Sequence, residues 1–350
     1  MSPLSSLRLV LATCLLTTAA FAGPIPSPAN PNASPKAQRI LAFIAGLEGR
    51  PGRHILTGQF LGYATQDSRD LPQTIHRETG CWPAMIGVDY ADFNRGTVSP
   101  DQPDATAIAY WRKGGLVTVS THLYNPTAKS GYGLRDHGVD LNSLLVPGTE
   151  ANRRWRHELD LIADGLGRLQ KAGVVVLWRP FHEMNGNWFW WGHQPPEAFI
   201  RLWRDMFDYF TKTRHLDNLL WVYAPNHGSD TAAYYPGDAY VDIVGLDSYT
   251  THVDPAHIPG YAEEARLPKP WGFTEFGPTG LLGARPSGNF DYRKFAEGMA
   301  RHFKRSTFFL CWDANWSPAN NRFAREFYQN PEMLNRENLP PGLAGAPASP

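Results

Sequence analysis

The sequence predicts an α/β fold, a single (β/α)8 TIM barrel, on three observations. Eight short apolar or β-branched runs recur along the chain, helical patterns separate several of them, and polar side chains lie at or near the end of each run. Near-continuous apolar runs are typical of strands buried on both faces, and eight of them with helical crossovers favour a barrel. On strand count alone, an open doubly wound sheet is the alternative fold. The runs are HILTGQF (54–60), PAMIGVDY (83–90), GLVTVSTHLY (115–124), GVVVLWRPFHE (173–183), NLLWVYAPN (218–226), YVDIVGLDSY (240–249), PWGFTEFG (270–277) and STFFLCWDANW (306–316).

The chain begins with a segment typical of secretory signal peptides. Arg8 precedes an apolar run at 9–21, and the run leads into Ala-Phe-Ala, a small-x-small cleavage site. The run is shorter than a membrane-spanning helix requires. We therefore expect residues 1–22 to be a signal peptide, cleaved near Ala22. The mature protein is then expected to be secreted, either to the extracellular space or to the periplasm.

The composition of both ends sets the expected limits of the barrel. Residues 23–35 are rich in Pro, Ala, Ser and Asn and predict a disordered linker, and residues 340–350 predict a flexible tail. The barrel domain is expected over 36–339. That length suits one (β/α)8 domain.

Helical periodicity is clearest between the third and fourth runs. Over 151–171, apolar residues recur at steps of four and three, and Gly173 follows as a stop signal. A second stripe covers 199–209, ahead of the fifth run. Between the fifth, sixth and seventh runs the pattern is weaker, so irregular loops are expected there. The two stripes are Trp155, Leu159, Ile162, Leu166 and Leu169, then Phe199, Leu202, Met206 and Tyr209.

The overall composition disfavours several kinds of partner. Lys+Arg and Asp+Glu number 33 each, so no charge excess favours nucleic acid or an anionic membrane. The 12 histidines are scattered without metal-ligand spacing, and we expect neither a metal nor a cofactor. After the signal only Cys81 and Cys311 remain, too few for a disulfide framework, and whether they are bridged stays open. We expect a monomer.

The barrel prediction places the ends of the eight runs on one face, where active sites of this fold lie. Glu183 ends the fourth run and Glu275 lies near the end of the seventh, so their side chains are predicted to converge across the barrel. Two facing carboxyls are the minimal machinery for cleaving a glycosidic bond, because one protonates the leaving oxygen while the other attacks the anomeric carbon or activates water. A lone glutamate would more simply be an ion-pair partner. The polar residues at or near the ends are Gln59, Asp89, His122, Glu183, Asn226, Asp247 with Tyr249, Glu275, and Trp312 with Asp313.

Glu183 lies in WRPFHEMNGNWFWWG (178–192), a segment with four tryptophans. Burial among rings and the nearby Glu275 are expected to raise the pKa of Glu183 and keep it protonated, as an acid must be. Aromatic rings also offer large contact area to the C–H faces of sugars. Of the four tryptophans, we expect Trp188 to line the site and Trp178 to pack against a helix, whereas Trp190 and Trp191 could lie in either the cleft or the core. Arg179 and Phe181 are expected on the inward face of the strand, where Arg179 would support the carboxylates electrostatically.

Other catalytic motifs are incomplete. His182 and Glu183 begin like the zinc-protease motif HExxH, but Gly186 stands where the second histidine ligand belongs. The chain has no GxSxG element, and the Gly-Tyr-Gly at 131–133 lacks the third glycine of a dinucleotide-binding loop. The paired glutamates therefore remain the favoured reaction centre.

The segments WRPFHEMNGNWFWWG, GLDSY (245–249) and TEFG (274–277) resemble the signature segments of glycoside hydrolase family 26. The resemblance extends from the first run to about Leu334. The family's founding activity is endo-β-1,4-mannanase, on a (β/α)8 barrel with the acid on strand four and the nucleophile on strand seven. The resemblance therefore implies a retaining hydrolase that cleaves β-1,4-mannosidic bonds in mannan, glucomannan or galactomannan by double displacement.

Carried over to this sequence, the resemblance implies Glu183 as acid/base and Glu275 as nucleophile. Tyr249 would hydrogen-bond the nucleophile, and Asp247 would polarise the acid side. His182 would hydrogen-bond substrate near the cleaved bond. The substrate-binding set that the resemblance implies is His122, His182, Trp188, Asp247, Tyr249 and Trp312, the last as a stacking platform.

The sequence departs from mannan-specific members of the family at Asp313, where those members often carry an arginine after the strand-eight tryptophan. β-1,3-1,4-Glucanase and β-1,3-xylanase activities therefore stay open as alternatives. A catalytically weak sugar-binding barrel is another, although binding alone would not need both glutamates and Tyr249. Endo or exo action is also open, because the segment 125–149 could wall off one end of a cleft.

Overall fold

The computed structural model describes residues 26–64, 68–279 and 287–345, and eight parallel strands within them close into a barrel. Each strand pairs with the next along the chain, and the eighth also pairs with the first, so the sheet has no open edge. This closure confirms the (β/α)8 prediction and excludes the open doubly wound sheet. The strands are β1 (Gly58–Phe60), β2 (Met85–Asp89), β3 (Leu116–Ser120), β4 (Val176–Arg179), β5 (Leu219–Tyr223), β6 (Ile243–Tyr249), β7 (Trp271–Gly277) and β8 (Ser306–Cys311).

Four shorter strands lie outside the barrel wall. Ile55–Leu56 pairs in parallel with β8 and with Met333–Leu334, which ties the end of the domain to its beginning. Ala91–Asp92 and Thr97–Val98 form a two-stranded antiparallel hairpin in the loop that follows β2. The hairpin therefore stands at the carboxyl end of the strands, on the face where the predicted site residues gather.

Helices surround the strands as the sequence periodicity predicts. The predicted helix at 151–171 is α4, and Thr149 caps it by accepting a hydrogen bond from the backbone N–H of Asn152. The second stripe forms α5, but Tyr209 falls in the π-helical turn that follows and is only partly buried. The helices are α1 (Pro35–Ala45), α2 (Leu71–Thr79), α3 (Asp101–Arg112), α4 (Glu150–Lys171), α5 (Pro196–Asp208), α6 (Tyr261–Glu264), α7 (Arg293–His302) and α8 (Ala324–Tyr328).

The irregular region predicted around the sixth strand is also confirmed. A single 3₁₀ turn, Asp238–Tyr240, lies between β5 and β6, and the helix between β6 and β7, α6, has only four residues. None of the described helices combines the length and apolar character needed to cross a membrane.

The described parts of the predicted linker and tail contact the barrel. The backbone N–H of Ala29 donates to Asp242, and Asn30 is buried. At the other end Leu343 is buried and Lys36 donates to the carbonyl of Gly345. Over 26–35 and 340–345, these contacts differ from the expected disorder, because short segments beside a large apolar surface can gain burial and hydrogen bonds there. The predicted signal peptide, 1–22, lies outside the described residues.

The two cysteines among the described residues, Cys81 and Cys311, are free thiols, so the question of a bridge between them is answered negatively. Cys311 ends β8 and is fully buried, whereas Cys81 lies after α2 and is partly exposed.

Candidate active site

The turn that carries Glu183 has an unusual backbone. Phe181 and Glu183 have φ of 50° and 57°, in the left-handed region that non-glycine residues seldom adopt. The N–H of Glu183 donates to the carbonyl of Ala224 at 2.7 Å, and the N–H of Gly186 donates to the carbonyl of Glu183 at 2.9 Å. These bonds hold a conformation that costs free energy, as is common where a side chain must be aimed at a site.

The same turn corrects one prediction about strand four. β4 ends at Arg179, so the alternation of inward and outward side chains stops there, and Phe181 does not share the inward face. Its ring instead packs against Trp155 of α4 and Phe199 of α5. Arg179 itself points into the barrel, fully buried, as predicted.

The open question about the tryptophans is answered by burial. Trp190 and Trp191 are both fully buried, and their indole N–H groups donate to the carbonyls of Leu123 and His182. Both are core residues that support the cleft from below. Trp178 is buried against Phe210, at the end of the fourth helical crossover, which confirms its predicted place.

Three carboxyl groups meet at the centre of the site. One oxygen from each of Glu183, Asp247 and Glu275 lies within 4.8 Å of the others, and all three side chains are buried. Arg179 donates to Asp247 Oδ2 at 2.9 Å and to Glu275 Oε1, and the hydroxyl of Tyr249 donates to Glu275 Oε2 at 2.6 Å. The guanidinium supplies balancing charge where a cation would otherwise be needed.

The electrostatics separate the two glutamates. Burial, and then the proximity of Glu275, raise the pKa of Glu183 to about 8, against the opposing effects of a hydrogen bond from Trp188 and the charge of Arg179. Glu275 by contrast accepts two hydrogen bonds, one of them from a cation. The arrangement therefore favours a protonated Glu183 beside an ionised Glu275.

Asp247 differs from its predicted role. It lies beside Glu275 in the register of β6 and β7, is fully buried, and does not line the cleft. Burial and then Glu275 raise its pKa well above the usual range, although Arg179 opposes this. Asp247 accepts a hydrogen bond from Arg179 beneath the site and has none with Glu183. Sequence position alone put it at the strand end without showing which way its side chain packs.

A cleft of about 510 Å³ opens above the carboxyls. Every predicted site residue except Asp247 lines it, and the loop 125–149 contributes two side chains to one wall. The predicted residues in the lining are His122, His182, Glu183, Trp188, Tyr249, Glu275 and Trp312. The lining residues that sequence reasoning missed are Tyr63, Phe93, Leu134, Arg135, Phe189, Thr279 and Trp316.

The aromatic residues among those missed follow a simple rule. Tyr63, Phe93 and Trp316 lie three to five positions after the ends of β1, β2 and β8, in the loops that the barrel presents to substrate. An aromatic side chain within five residues after a barrel strand was therefore the available signal. Phe189 lies within the tryptophan-rich segment at 178–192.

The two predicted sugar-stacking tryptophans have different surroundings. Trp188 donates its indole N–H to Glu183 Oε2 at 2.5 Å, and its ring lies so close to Gly186 that a Cβ there would be 2.3 Å from it. Trp312 stacks in parallel on Phe60, with ring centroids 3.8 Å apart. Only the other face of Trp312 is therefore open to stack on a ligand.

Gly277 is the last residue of β7 and lies beside Tyr249 of β6. A Cβ at this position would meet the rings of Trp316 and Tyr249 at 2.5 Å. The glycine therefore lets Tyr249 approach closely enough to hydrogen-bond Glu275.

Asp313, Gln59 and Asn226 are strand-end residues that do not line the cleft. Asp313 accepts a hydrogen bond from Ser68, and burial raises its pKa to about 6. Gln59 donates to backbone carbonyls and accepts from Ser317, so it closes the seam between β1 and β8. Asn226 joins Asn185 through backbone and amide groups.

Comparison with known proteins agrees with this geometry. The family model described as glycosyl hydrolase family 26 matches residues 29–338. A mannan endo-1,4-beta-mannosidase of Bacillus subtilis is 39% identical and aligns over 94% of this chain and 96% of its own length. Mannan endo-1,4-beta-mannosidase A and B of Caldalkalibacillus mannanilyticus is 36% identical over 89% of this chain, which spans 62% of that relative's length.

A solved structure gives the same answer for the fold. The mannanase BCman of Bacillus subtilis superposes with a TM-score of 0.84 at 34% identity, covering 93% of this chain and 100% of that one. The matched residues include both strand-end glutamates, since the family model runs from before β1 to beyond β8. The chain belongs to glycosyl hydrolase family 26.

Proposed function

We propose that this protein is a secreted, retaining endo-β-1,4-mannanase that acts on mannan, glucomannan or galactomannan, with Glu183 as acid/base and Glu275 as nucleophile. The observation that carries the proposal is the approach of the two carboxyls within 4.8 Å, one held protonated and the other hydrogen-bonded by a cation. Retaining glycosidases place their carboxyls about 5–5.5 Å apart, whereas inverting enzymes need a wider gap for a water molecule.

In the first step, an oxygen of Glu275 attacks the anomeric carbon of the mannosyl unit in the cleft. The bond from that carbon to the glycosidic oxygen breaks, and the oxygen takes the proton of Glu183 as it leaves. The products are a glycosyl ester on Glu275, an ionised Glu183 and a shortened chain with a new hydroxyl. Tyr249 and Arg179 bind the two oxygens of Glu275 and aim it.

In the second step, Glu183 acts as a base. Esterification removes the negative charge of Glu275, so the repulsion that raised the pKa of Glu183 disappears and the residue remains ionised. It then accepts a proton from a water molecule that attacks the anomeric carbon and releases Glu275. Two displacements at one carbon return the original β configuration.

Three features support the choice of substrate and location. The similar proteins of Bacillus subtilis and Caldalkalibacillus mannanilyticus are named mannan endo-1,4-beta-mannosidases. The cleft offers aromatic faces at Trp188 and Trp312 together with polar groups at His122 and His182, which suits a pyranose. Secretion rests on the signal-like residues 1–22.

The test is a reducing-sugar and product-size assay of the mature protein on glucomannan, galactomannan, mixed-linkage glucan and β-1,3-xylan in parallel. Mixed manno-oligosaccharides appearing early are the expected result, and Glu183→Gln and Glu275→Gln should lose the activity while they still bind mannan. Mannobiose as the sole product would show that the enzyme is exo-acting and not endo-acting. Hydrolysis of only glucan or xylan would overturn the substrate, and mannan binding without any reducing ends would overturn the enzyme.

A further inference from the structure

A buried aspartate stands behind the two histidines of the cleft. Asp89, at the end of β2, is fully buried, and its carboxylate accepts four hydrogen bonds. The backbone N–H groups of Ala91 and His122 donate to Oδ1, while the hydroxyl of Ser120 and the ring Nδ1 of His122 bind Oδ2. Burial raises the pKa of Asp89, but His122 and these hydrogen bonds outweigh it and hold the pKa below its ordinary value. Asp89 is therefore an acceptor only.

The hydrogen-bonded chain continues into the cleft. Because Oδ2 of Asp89 can only accept, His122 must carry a proton on Nδ1. The other nitrogen of His122, Nε2, lies 3.2 Å from Nε2 of His182. One of these two nitrogens must donate and the other accept, so the protonation of one ring determines that of the other.

The unpaired nitrogen of His182 decides the direction. Nδ1 of His182 is buried and has no hydrogen-bond partner in the described structure. Burial, His122 and Arg179 lower the pKa of His182 well below its usual value, so the ring is neutral at pH 7. A buried N–H without an acceptor is rarer in proteins than a buried acceptor without a donor. The proton of His182 is therefore favoured on Nε2, where it bonds His122.

We propose that Asp89 is a positioning residue that fixes, through His122, the place of the proton on His182. His122 carries its proton on Nδ1, His182 carries its proton on Nε2, and Nδ1 of His182 is left as a buried acceptor. The reversed arrangement would leave a buried N–H on Nδ1 without an acceptor, in the residue next to Glu183, so the placement of both side chains for the reaction depends on the proton. This consequence for catalysis rests on the proposed function, whereas the proton positions do not.

The decisive variant is Asp89→Asn, because the amide fits the same four partners. Its oxygen can still accept from the N–H groups of Ala91 and His122, and its NH₂ can donate to the Ser120 hydroxyl and to Nδ1 of His122. Donation to Nδ1 moves the proton of His122 to Nε2. His182 must then accept through Nε2 and carry its proton on Nδ1. Replacing one carboxylate by an amide therefore moves the proton to the other nitrogen in both histidine rings.

The measurement is two-bond ¹H–¹⁵N correlation on ¹⁵N-histidine-labelled protein at pH 7, without substrate. Signals are assigned by their loss in His122→Gln and His182→Gln. The expected wild-type pattern is Nδ1–H for His122 and Nε2–H for His182, with both reversed in Asp89→Asn. The matched control is Asp242→Asn, a buried aspartate before β6 that accepts two backbone N–H groups at the opposite end of the barrel and should leave the pattern unchanged.

The outcomes decide the proposal separately from the mannanase assignment. A wild-type His182 protonated on Nδ1, a doubly protonated His122, or a folded Asp89→Asn with the wild-type pattern would each overturn it. If Asp89→Asn does not fold, the proton positions measured on His122 and His182 of the wild type still test the proposal. On mannan, reversal should lower kcat/KM by about tenfold or more, while Asp242→Asn keeps it. Reversed rings with unchanged kcat/KM would overturn the positioning role.

Discussion

Glu183 and Glu275 face each other with carboxyl oxygens within 4.8 Å, although they are separated by most of three β/α units in the sequence. At this distance the ionisation of one opposes ionisation of the other. The surrounding hydrogen-bond donors treat the two carboxyls unequally. Arg179 and Tyr249 both donate to Glu275, whereas Trp188 is the one donor to the Glu183 carboxyl in the part of the chain that the structure describes. The pair is therefore built as one acid and one carboxylate.

The first prediction concerns pH. Because Glu183 must be protonated to act as acid and its pKa is raised to about 8, kcat/KM should fall as pH rises through about 8. In Glu275→Gln the repulsion is absent, so the pKa of Glu183 should be lower than in the wild type. ¹³C NMR titration of the Glu183 carboxyl measures it. An unchanged pKa in the variant would show that Glu275 is not a cause of the shift.

The second prediction isolates the indole N–H of Trp188. Trp188→Phe keeps an aromatic ring but removes the hydrogen bond to Glu183 Oε2. Since that bond lowers the pKa of Glu183, the alkaline limb of the pH profile should move to higher pH, and kcat should fall about tenfold as the carboxyl loses its orientation.

Trp316→Phe is the matched control for that experiment. Trp316 also lines the cleft, but its indole nitrogen has no hydrogen-bond partner among the described residues. The alkaline limb should stay in place in this variant. A limb that moves equally in both variants would assign the effect to general disturbance of the cleft and not to the bond with Glu183.

The third prediction concerns the hydroxyl of Tyr249. It donates to Glu275 Oε2 at 2.6 Å, and a hydrogen bond to a carboxylate contributes about 1.5–3 kcal/mol. Tyr249→Phe should therefore lower kcat/KM by about 10- to 100-fold with little change in thermal stability. Steady-state kinetics and a melting curve measure the two quantities. Activity within about twofold of the wild type would remove Tyr249 from the catalytic machinery.

The fourth prediction concerns stability and the buried Glu158 of α4. Burial raises its pKa to about 8, while a hydrogen bond from the N–H of Tyr124 opposes the shift. An unfolded glutamate ionises near pH 4.3, so folding takes up a proton between there and about 8, and this residue makes the protein less stable as pH rises through that window. Glu158→Gln should reduce this loss of stability. Its Tm relative to that of the wild type should therefore increase from pH 5 to pH 8.

The control is Glu150→Gln, on the exposed first turn of the same helix. Hydrogen bonds from Arg153 and Arg154 lower the pKa of Glu150, so its contribution changes only in more acidic solution. Between pH 5 and 8 its Tm curve should run parallel to the wild type. Parallel curves for Glu158→Gln as well would contradict an ionisation of Glu158 in that window.

The fold could be predicted from the sequence because barrel strands are buried on both faces. Each of the eight runs contains a strand, and the helix predicted at 151–171 begins only one residue earlier than expected. Strand lengths were overestimated, most clearly at the fourth run, where β4 stops at Arg179 and left-handed backbone at Phe181 and Glu183 takes over. No local pattern signals that break, because neighbouring loops and not residue type impose it.

The site could be predicted only as far as its strand ends. Predicting Glu183 and Glu275 as site residues requires only the rule that the carboxyl ends of parallel barrel strands lie on one face. Whether Asp247 or Tyr249 reaches the cleft depends on register with β7, and the close approach of Tyr249 depends on the missing Cβ of Gly277. Contacts of this kind depend on the three-dimensional packing of neighbouring strands, and no periodic pattern in the sequence predicts them.

The most direct test of the central claim is the anomeric configuration of the first product. Mannohexaose is mixed with enzyme and followed by ¹H NMR before mutarotation equalises the anomers. Double displacement through Glu275 predicts that the new reducing end appears as the β anomer and drifts towards α. Initial appearance of the α anomer would show a single displacement by water, and would contradict the assignment of Glu275 as nucleophile.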